Sequence, residues 1–486
     1  MSEIMKSTFR GIYSAGKFLM RGHILKKDIG ARFATKKEMN QIANSSNKGV
    51  LIDGVNKRLS DKDSFRHVAI ISPPGGGKTT GYIVPNILDK ARSKCSMLIT
   101  DPSGEIYANT SKYLKNKGFN IITLDPSNIN SSSRFNPFDG LDHHDTIEIE
   151  RICASIILSK YGSDKEQIWN DGAISLLEIF AKCLAYTKPE YLSIPNLNYL
   201  IQVFGSDGGN LDDWVADHSM NPSDPHDRTI IDSWLGLITS NANMLNTYTT
   251  IVKTALKQFN NRQIQKLFHT NDIDLIEFRK SKTAIYIILP ENQAAYFQFL
   301  VDVFYSQFFS SMMKNIPSRK ILDVYCFLDE FGSSYIDNFS MIINNVRKYR
   351  VSLSMVFQGI SQISEKYGEQ RAKSIKAGIS TTLIFAGADF LSAKEQSDRL
   401  GQKVTLQRKK FEEIEETYSK IELMSADKIR TLEDNQFLFV SANYHPFVVT
   451  YKPYYQSGSP FKGTVKKGAY QQPPNTSNKT IYQLSL

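Results

Sequence analysis

Apolar residues in this chain follow two rhythms, and the change of rhythm divides it. Three runs, His67–Ser72, Ser96–Asp101 and Phe119–Asp125, are rich in Ile, Val, Leu or Thr, and each ends in a polar turn. Unbroken apolar runs of this length predict strands of a parallel sheet covered on both faces, and the helical stretches between them predict βαβ crossovers. From about residue 144 to 267 the strand rhythm stops. Thr146–Lys160, Ile168–Tyr186, Ile194–Val203 and Ile230–Phe259 carry apolar residues at three- and four-residue spacing, around a polar loop at Gly205–Arg228. Strand-like runs resume at Ala284–Leu289, Val324–Leu328, Leu353–Phe357, Thr381–Phe385, Phe437–Val440 and Phe447–Tyr451. The expectation is an α/β fold with a mostly parallel sheet, interrupted by an inserted all-α domain. Its parts are an N-terminal segment (1–47), a first sheet portion (48–143), the insert (144–267), a second sheet portion (268–455) and a tail (456–486). The tail is rich in Ser, Gly, Gln and Pro, has no Asp or Glu, and carries Lys462, Lys466, Lys467 and Lys479, which reads as a basic, disordered segment. No internal repeat is visible.

Composition narrows the class. The 41% hydrophobic and 11% aromatic shares exclude a wholly disordered chain. The net charge of +10 over 486 residues permits a polyanionic partner without demanding one. Cys95, Cys153, Cys183 and Cys326 are scattered with no CxxC pair, which argues against a zinc ribbon or disulfide scaffold and for a reduced, cytoplasmic compartment. No stretch reads as a membrane span. Ala294–Met313 comes closest, but Gln298, Asp302 and Gln307 interrupt it. Gly11–Leu25 is broken by Lys17 and Arg21 and reads as a helix docked on the core, or else resting on a membrane surface through Ile12, Phe18, Leu19 and Met20.

The strongest chemical signal follows the first strand, at His67-Val-Ala-Ile-Ile-Ser-Pro-Pro-Gly-Gly-Gly-Lys-Thr-Thr80. A glycine-rich turn between a strand and a helix lets several backbone N–H groups face one anion, and the helix N-terminus adds partial positive charge. Pro74, Gly75, Gly76, Gly77, Lys78, Thr79 and Thr80 are the expected nucleotide contacts. Lys78 reaches the β- and γ-phosphates, and the Thr79 hydroxyl ligates Mg²⁺. Ser72 stands where the phosphate-loop pattern has its first Gly, and Pro85 is expected to kink the helix that follows.

A second signal is Val324-Tyr-Cys-Phe-Leu-Asp-Glu330, an apolar strand ending in two carboxylates. Phosphoryl transfer needs one carboxylate beside Mg²⁺ and another group to position or deprotonate water. Asp329 is assigned the first role and Glu330 that of general base. The next strand ends in Gln358, placed to sense the γ-phosphate or hold the water. Before it, Arg347-Lys-Tyr-Arg350 offers two arginines able to stabilise transition-state charge in a neighbouring subunit.

Taken together, these motifs resemble the TraG-like coupling ATPases of conjugative and type IV secretion systems. The pieces run in family order: Gly30-Ala-Arg-Phe-Ala34, Pro73–Thr80, Val84-Pro-Asn-Ile87, Asp101-Pro-Ser-Gly-Glu105, Phe135-Asn-Pro-Phe138, Leu328-Asp-Glu-Phe331, Gln358 and Phe385-Ala-Gly387. The resemblance implies a RecA-like P-loop domain with an all-α insert, bound to ATP and Mg²⁺, working as a homohexamer. It implies hydrolysis that feeds DNA, relaxase–DNA complexes or protein substrates to secretion-channel proteins at the cytoplasmic face of the membrane. By resemblance Asp101 joins the nucleotide contacts, Gln358 is the sensor, and Arg347 rather than Arg350 is the trans-acting finger. Family members usually begin with transmembrane helices, so an anchor lost or carried by a separate protein is implied. The insert holds Tyr161, Trp169, Trp214 and Trp234, and each Trp reads as core. Lys253 and Lys257, four apart, offer either a phosphate-tracking face or a solvated one. A competing reading is a nucleotide-gated docking receptor for relaxosome or effector proteins with little turnover.

Overall fold

A computed structural model describes residues 30–162, 167–204, 211–239, 242–408, 416–465, 468–473 and 479–485. The N-terminal stretch Gly11–Leu25 therefore lies outside the described residues. Eleven strands are present among them: β1 Val68–Ile71, β2 Cys95–Asp101, β3 Asn120–Leu124, β4 Thr283–Ile288, β5 Asp323–Leu328, β6 Val351–Phe357, β7 Thr381–Phe385, β8 Gln402–Arg408, β9 Glu416–Glu422, β10 Gln436–Ser441 and β11 Tyr444–Thr450. Nine form one sheet in the order β11-β10-β7-β1-β6-β5-β2-β4-β3. The seven from β7 to β3 are mutually parallel, and β10 and β11 close one edge antiparallel. Every strand-like apolar run in the sequence is one of these nine. Strands β1, β2, β4, β6 and β7 are buried along their whole length, which is why they lack polar alternation. The β8–β9 hairpin was not anticipated, because Gln402–Arg408 and Glu416–Glu422 contain no apolar run.

Alternate residues of β1 define the two sides. Val68 and Ile70 pack into one core with Tyr82, Ile87 and Phe437. Ala69 and Ile71 pack into a larger core that runs without a break into the helical block. That block contains helices Thr146–Tyr161, Gln167–Thr187, Ile194–Val203, Asp212–His218, Thr229–Ile238, Ala242–Ala255 and Arg262–Phe268. The helical stretch expected over Ile230–Phe259 is thus two helices and a short 3₁₀ turn. Trp234 lies in the block's interior, donating from Nε1 to Asp212 Oδ1 at 2.7 Å and packing on Phe180 and Phe204.

Helix Ala294–Met313 runs between sheet and insert, packed along Thr146–Tyr161. Its polar interruptions are internal: Asp302 and Gln307 are buried. Among the described residues no helix is long and apolar enough to cross a membrane.

Two expectations change. Pro85 does not kink a regular helix. Thr79–Ile83 is a π-turn, and Pro85 sits in the first turn of the α-helix Val84–Lys90. There its missing N–H costs nothing, and the wider turn before it avoids the clash with the carbonyl four residues back. The described parts of the tail are laid down as a strap rather than disordered. Phe461 is buried against Leu51, Val84 and Leu88. Tyr107 Oη donates to the Tyr470 carbonyl at 2.6 Å, and Gln472 Nε2 to the Ile121 carbonyl of the edge strand β3 at 3.3 Å. At the far end the Leu484 N–H donates to Asn196 Oδ1 in the insert at 3.1 Å. Spaced aromatic and aliphatic anchors hold what composition alone reads as unstructured.

Candidate nucleotide site

Parallel strands deliver their C-terminal ends to one edge of the sheet, and the site is built there. The register sets Ile71, the last residue of β1, beside Phe357 of β6 and Ile384 of β7. The chain then turns, with the Ser72 N–H donating to the Phe357 carbonyl at 3.1 Å. Gly75 and Gly77 take φ of +73° and +86°, a region open to glycine at little cost. Ser72 is accommodated where a glycine was expected because Gly76 faces it: a Cβ on Gly76 would lie 2.5 Å from Ser72 Oγ.

Lys78 opens the helix with its side chain largely buried. Its Nζ lies 3.2 Å from Glu330 Oε1 and 3.5 Å from Asp329 Oδ1 at the end of β5. Strand β6 separates β5 from β1, and its own end supplies Gln358. Gln358 Nε2 donates to both Glu330 oxygens at 3.3 and 3.4 Å. The Gln358 N–H in turn donates to Gln362 Oε1 at 2.9 Å. Lys78, Asp329, Glu330 and Gln358 are therefore one constellation, drawn from three strand ends that lie far apart in sequence. Asp329 is buried, and desolvation pushes its carboxyl above the usual carboxylate range against the opposing pull of Lys78. Glu330 keeps about a third of its side chain in water and adopts φ +59°. A non-glycine residue in that region costs on the order of 1 kcal/mol and persists only where its surroundings fix it.

The donor set suits Mg²⁺, which takes hard oxygen ligands. Asp329 supplies a carboxylate whose one ion-pair partner among the described residues is Lys78. The Thr80 hydroxyl is spent on the Gly77 carbonyl at 3.2 Å, whereas that of Thr79 has no protein partner among the described residues.

Around the loop lies a cavity of about 610 Å³, walled by residues 75–80, Glu105, Asn435, Tyr451 and Tyr455. Tyr451 Oη donates to the Gly76 carbonyl at 3.3 Å, and its ring lies against the faces of Gly77 and Gly81. Sequence reasoning placed residues 75–80 and, by resemblance, Glu105 near the nucleotide, and missed Asn435, Tyr451 and Tyr455. The one available signal was Gly77 and Gly81 four apart, a smooth helical stripe that admits an aromatic ring.

Three residues stand outside the constellation. Asp101 is fully buried, and its Oδ2 accepts the Tyr107 N–H at 2.6 Å, so it caps the helix Glu105–Asn116 instead of lining the cavity. Burial raises its carboxyl to about 6. Arg350 is engaged by Asp323 at 2.5 Å and by the Ser318 and Ile321 carbonyls at 3.2 Å. Arg347 is exposed, in the short 3₁₀ turn Val346–Tyr349 that leads into β6, hence at the sheet edge opposite the phosphate loop.

With this geometry in place, the chain can be set beside known proteins. A family model described as type IV secretory system conjugative DNA transfer matches residues 24–483. The chain belongs to that family. Among curated relatives, the protein VirD4 of Rhizobium radiobacter is 21% identical over 346 residues, covering 69% of this chain and 48% of that one. The type IV secretion system-coupling protein VirD4 of Bartonella henselae is 24% identical over 351 residues, covering 69% and 53%. The chain thus spans about half the length of these relatives. Among solved structures, the bacterial conjugative coupling protein TrwBdeltaN70 superposes with a TM-score of 0.71 at 14% identity, over 91% of this chain and 97% of that one. The plasmid coupling protein TrwB in complex with ADP and Mg²⁺ gives 0.69 at 15% identity, over 91% and 96%. At these identities the likeness establishes the fold, a RecA-like sheet carrying an all-α insert.

Proposed function

We propose that this member of the conjugative DNA transfer family is a motor ATPase that recruits DNA, relaxase–DNA complexes or protein substrates and drives them toward a transfer channel. The observation that carries this reading is the convergence of Lys78, Asp329, Glu330 and Gln358 at the mouth of a glycine-rich loop. The nucleotide's phosphates lie along the N–H groups of residues 75–79, and its remainder fills the cavity walled by Glu105, Asn435, Tyr451 and Tyr455. Two TrwB structures of the same fold hold a non-hydrolysable ATP analogue and ADP with Mg²⁺, which supports ATP and Mg²⁺ as the ligands here.

Hydrolysis then divides among named groups. Lys78 leaves the carboxylates for the β- and γ-phosphates. Thr79 and Asp329 would hold Mg²⁺, which supplies charge neutralisation at the phosphate oxygens. Gln358 orients a water with its amide, and a Glu330 oxygen takes that water's proton as the water oxygen bonds the γ-phosphorus and the bridging oxygen leaves on ADP. A positioned general base contributes about 10²–10⁴-fold. Arg347 completes a neighbouring copy's site, in a ring of six at the cytoplasmic membrane face, held there by an anchor on this or another protein. An arginine in that role contributes about 10³–10⁵-fold.

The test is steady-state ATP hydrolysis at low salt, with and without single- and double-stranded DNA, for wild type beside Glu330→Gln and Lys78→Ala. Expected are DNA stimulation, loss of about 10²-fold or more in Glu330→Gln with nucleotide binding retained, and loss of binding in Lys78→Ala. The separation of Arg347 from its own chain's site favours a second reading, in which an isolated subunit is a nucleotide-gated docking receptor. Binding without turnover in the assembled ring, with a relaxase still captured by Glu330→Gln, would select it.

A further inference from the structure

Glu330 holds a left-handed backbone at the end of β5, so something must keep the turn that follows it in one shape. That turn packs on Phe357 of β6 through Phe331 and against Gln362 at Gly332, and helix Ala294–Met313 holds the residues that follow. Gln298 on this helix uses its whole amide. One Nε2 hydrogen goes to Ser334 Oγ at 3.1 Å and the other to Asp302 Oδ1 at 2.9 Å, while Oε1 lies 3.3 Å from Ser333 Oγ. The Ser333 hydroxyl also lies 2.9 Å from the Glu330 carbonyl, and the Ser333 N–H donates to that carbonyl at 3.2 Å. Asp302, one helical turn beyond Gln298 and buried, accepts the Tyr335 N–H as well. The Ile336 N–H donates to Tyr367 Oη at 2.9 Å. Three consecutive residues after Phe331-Gly332 are thus fixed to two side chains of a helix that carries none of the motifs of the site.

Burying a carboxyl beneath a turn has a clear cost unless it is fully bonded, so Asp302 calls for a reason beyond packing, and the half-buried Gln298 shares its bonds. Both are polar interruptions of a mainly apolar helix, at positions that face the turn. We propose that Gln298 and Asp302 are positioning residues for the proposed general base: they fix residues 333–335 and so hold the Glu330 carboxylate against Gln358 and the attacking water. The inference rests on the hydrolytic reading above. Burial raises the Asp302 carboxyl to about 8. Asparagine is then a close replacement for the protonated acid at neutral pH.

The experiment uses the full chain with DNA present. A displacement on the order of 1 Å at a reacting group costs on the order of 10²-fold, so Gln298→Ala and Asp302→Ala are expected to lower kcat about 10- to 100-fold. KM for ATP and the equilibrium affinity for a fluorescent ADP analogue stay within about twofold, because the phosphate loop is untouched. Asp302→Asn restores most of the rate. The deciding comparison is made in Glu330→Gln, where the base is already gone and Gln298→Ala is expected to have no further effect on residual turnover. Amide hydrogen exchange across 333–336 accelerates in Gln298→Ala at unchanged melting temperature. A kcat within twofold of wild type in both alanine variants, or an equal loss in the Glu330→Gln background, overturns the proposal. Wild type without turnover overturns it together with the hydrolytic reading. Normal wild-type turnover with both alanine variants inert overturns the positioning role alone.

Discussion

The contact between Tyr451 and the first turn after the phosphate loop makes a substitution whose sign should depend on its background. A Cβ on Gly81 would lie 2.2 Å from Tyr451 Cε2 and 2.3 Å from Cδ2, where ordinary contact begins at 3.4 Å. Gly81→Ala therefore requires ring and helix to separate by 3.4 − 2.2 = 1.2 Å. The ring cannot swing away freely, because it packs on Phe385 and Phe437 at 5.2 and 5.9 Å and its hydroxyl is bonded to the Gly76 carbonyl. Overpacking of this kind costs about 1–3 kcal/mol. Alanine for glycine inside a helix returns about 0.5–1 kcal/mol. The steric cost is the larger, so Gly81→Ala alone should destabilise by about 1–2 kcal/mol and weaken nucleotide affinity by shifting Tyr451 against the loop. In Tyr451→Ala the obstruction is gone and only the helix term remains, so the same substitution should stabilise by about 0.5–1 kcal/mol. The assay is unfolding of the four proteins of the cycle, with nucleotide titration of each. A Gly81→Ala that is harmless alone, or equally damaging in both backgrounds, would refute the reasoning.

Three further outcomes follow from the same geometry. Arg347→Ala subunits mixed with wild type should poison DNA-stimulated hydrolysis out of proportion to their share, while their own melting temperature is unchanged because Arg347 is exposed. A linear titration would sink the shared-site idea. Arg350→Ala should act instead on stability, by about 1–2 kcal/mol, since it strips the partner from Asp323. That figure is discounted because 35% of the Arg350 side chain meets water. Asp101 has a folded value of about 6 against an ordinary 3.8. Its folded state binds the extra proton, so its contribution to stability declines by about 3 kcal/mol as pH rises from 4 through 6 and is flat above. Urea unfolding of wild type and Asp101→Asn at pH 4.5 and 7.5 checks this, and an unchanged pH dependence in the variant would count against it.

How much of this was legible in the sequence depends on how each part is held. The nine strands of the large sheet were readable because burial on both faces leaves an apolar run with no competing pattern, as in Val324–Leu328 and Thr381–Phe385. The strand order was not, because register is decided by packing between segments far apart in the chain. The individual motifs of the site were readable, since Lys78 and the pair Asp329-Glu330 each sit at a strand end. Their meeting required β6 to lie between β1 and β5, which no local pattern specifies. Tyr451 and Asn435 escaped notice because they wall the cavity from an antiparallel edge added last to the sheet. Gln298 and Asp302 were noticed only as interruptions of an apolar helix. Their contacts turn that interruption into a second support for Glu330. Asp101 was misplaced for the opposite reason: a carboxylate following a strand and preceding Gly104 looks the same whether it faces a nucleotide or the N–H groups of the next helix.

The parallel sheet also constrains which proposed roles one chain can fill. Arg347 and Gln358 flank the same strand, β6, whose residues Val351–Phe357 run from one edge of the sheet to the other. Seven residues at about 3.3 Å each span roughly 23 Å, well beyond the reach of one arginine side chain. Residues that precede a parallel strand always lie at the edge away from the loops that follow it. Gln358 can therefore act only with its own chain's Lys78 and Glu330, as its bonds to Glu330 already indicate. If Arg347 contributes to hydrolysis at all, it does so in another copy. Catalysis by a solitary subunit that is abolished by Arg347→Ala would be incompatible with this sheet, whereas loss of activity on dilution of the wild type below its assembly concentration follows from it directly.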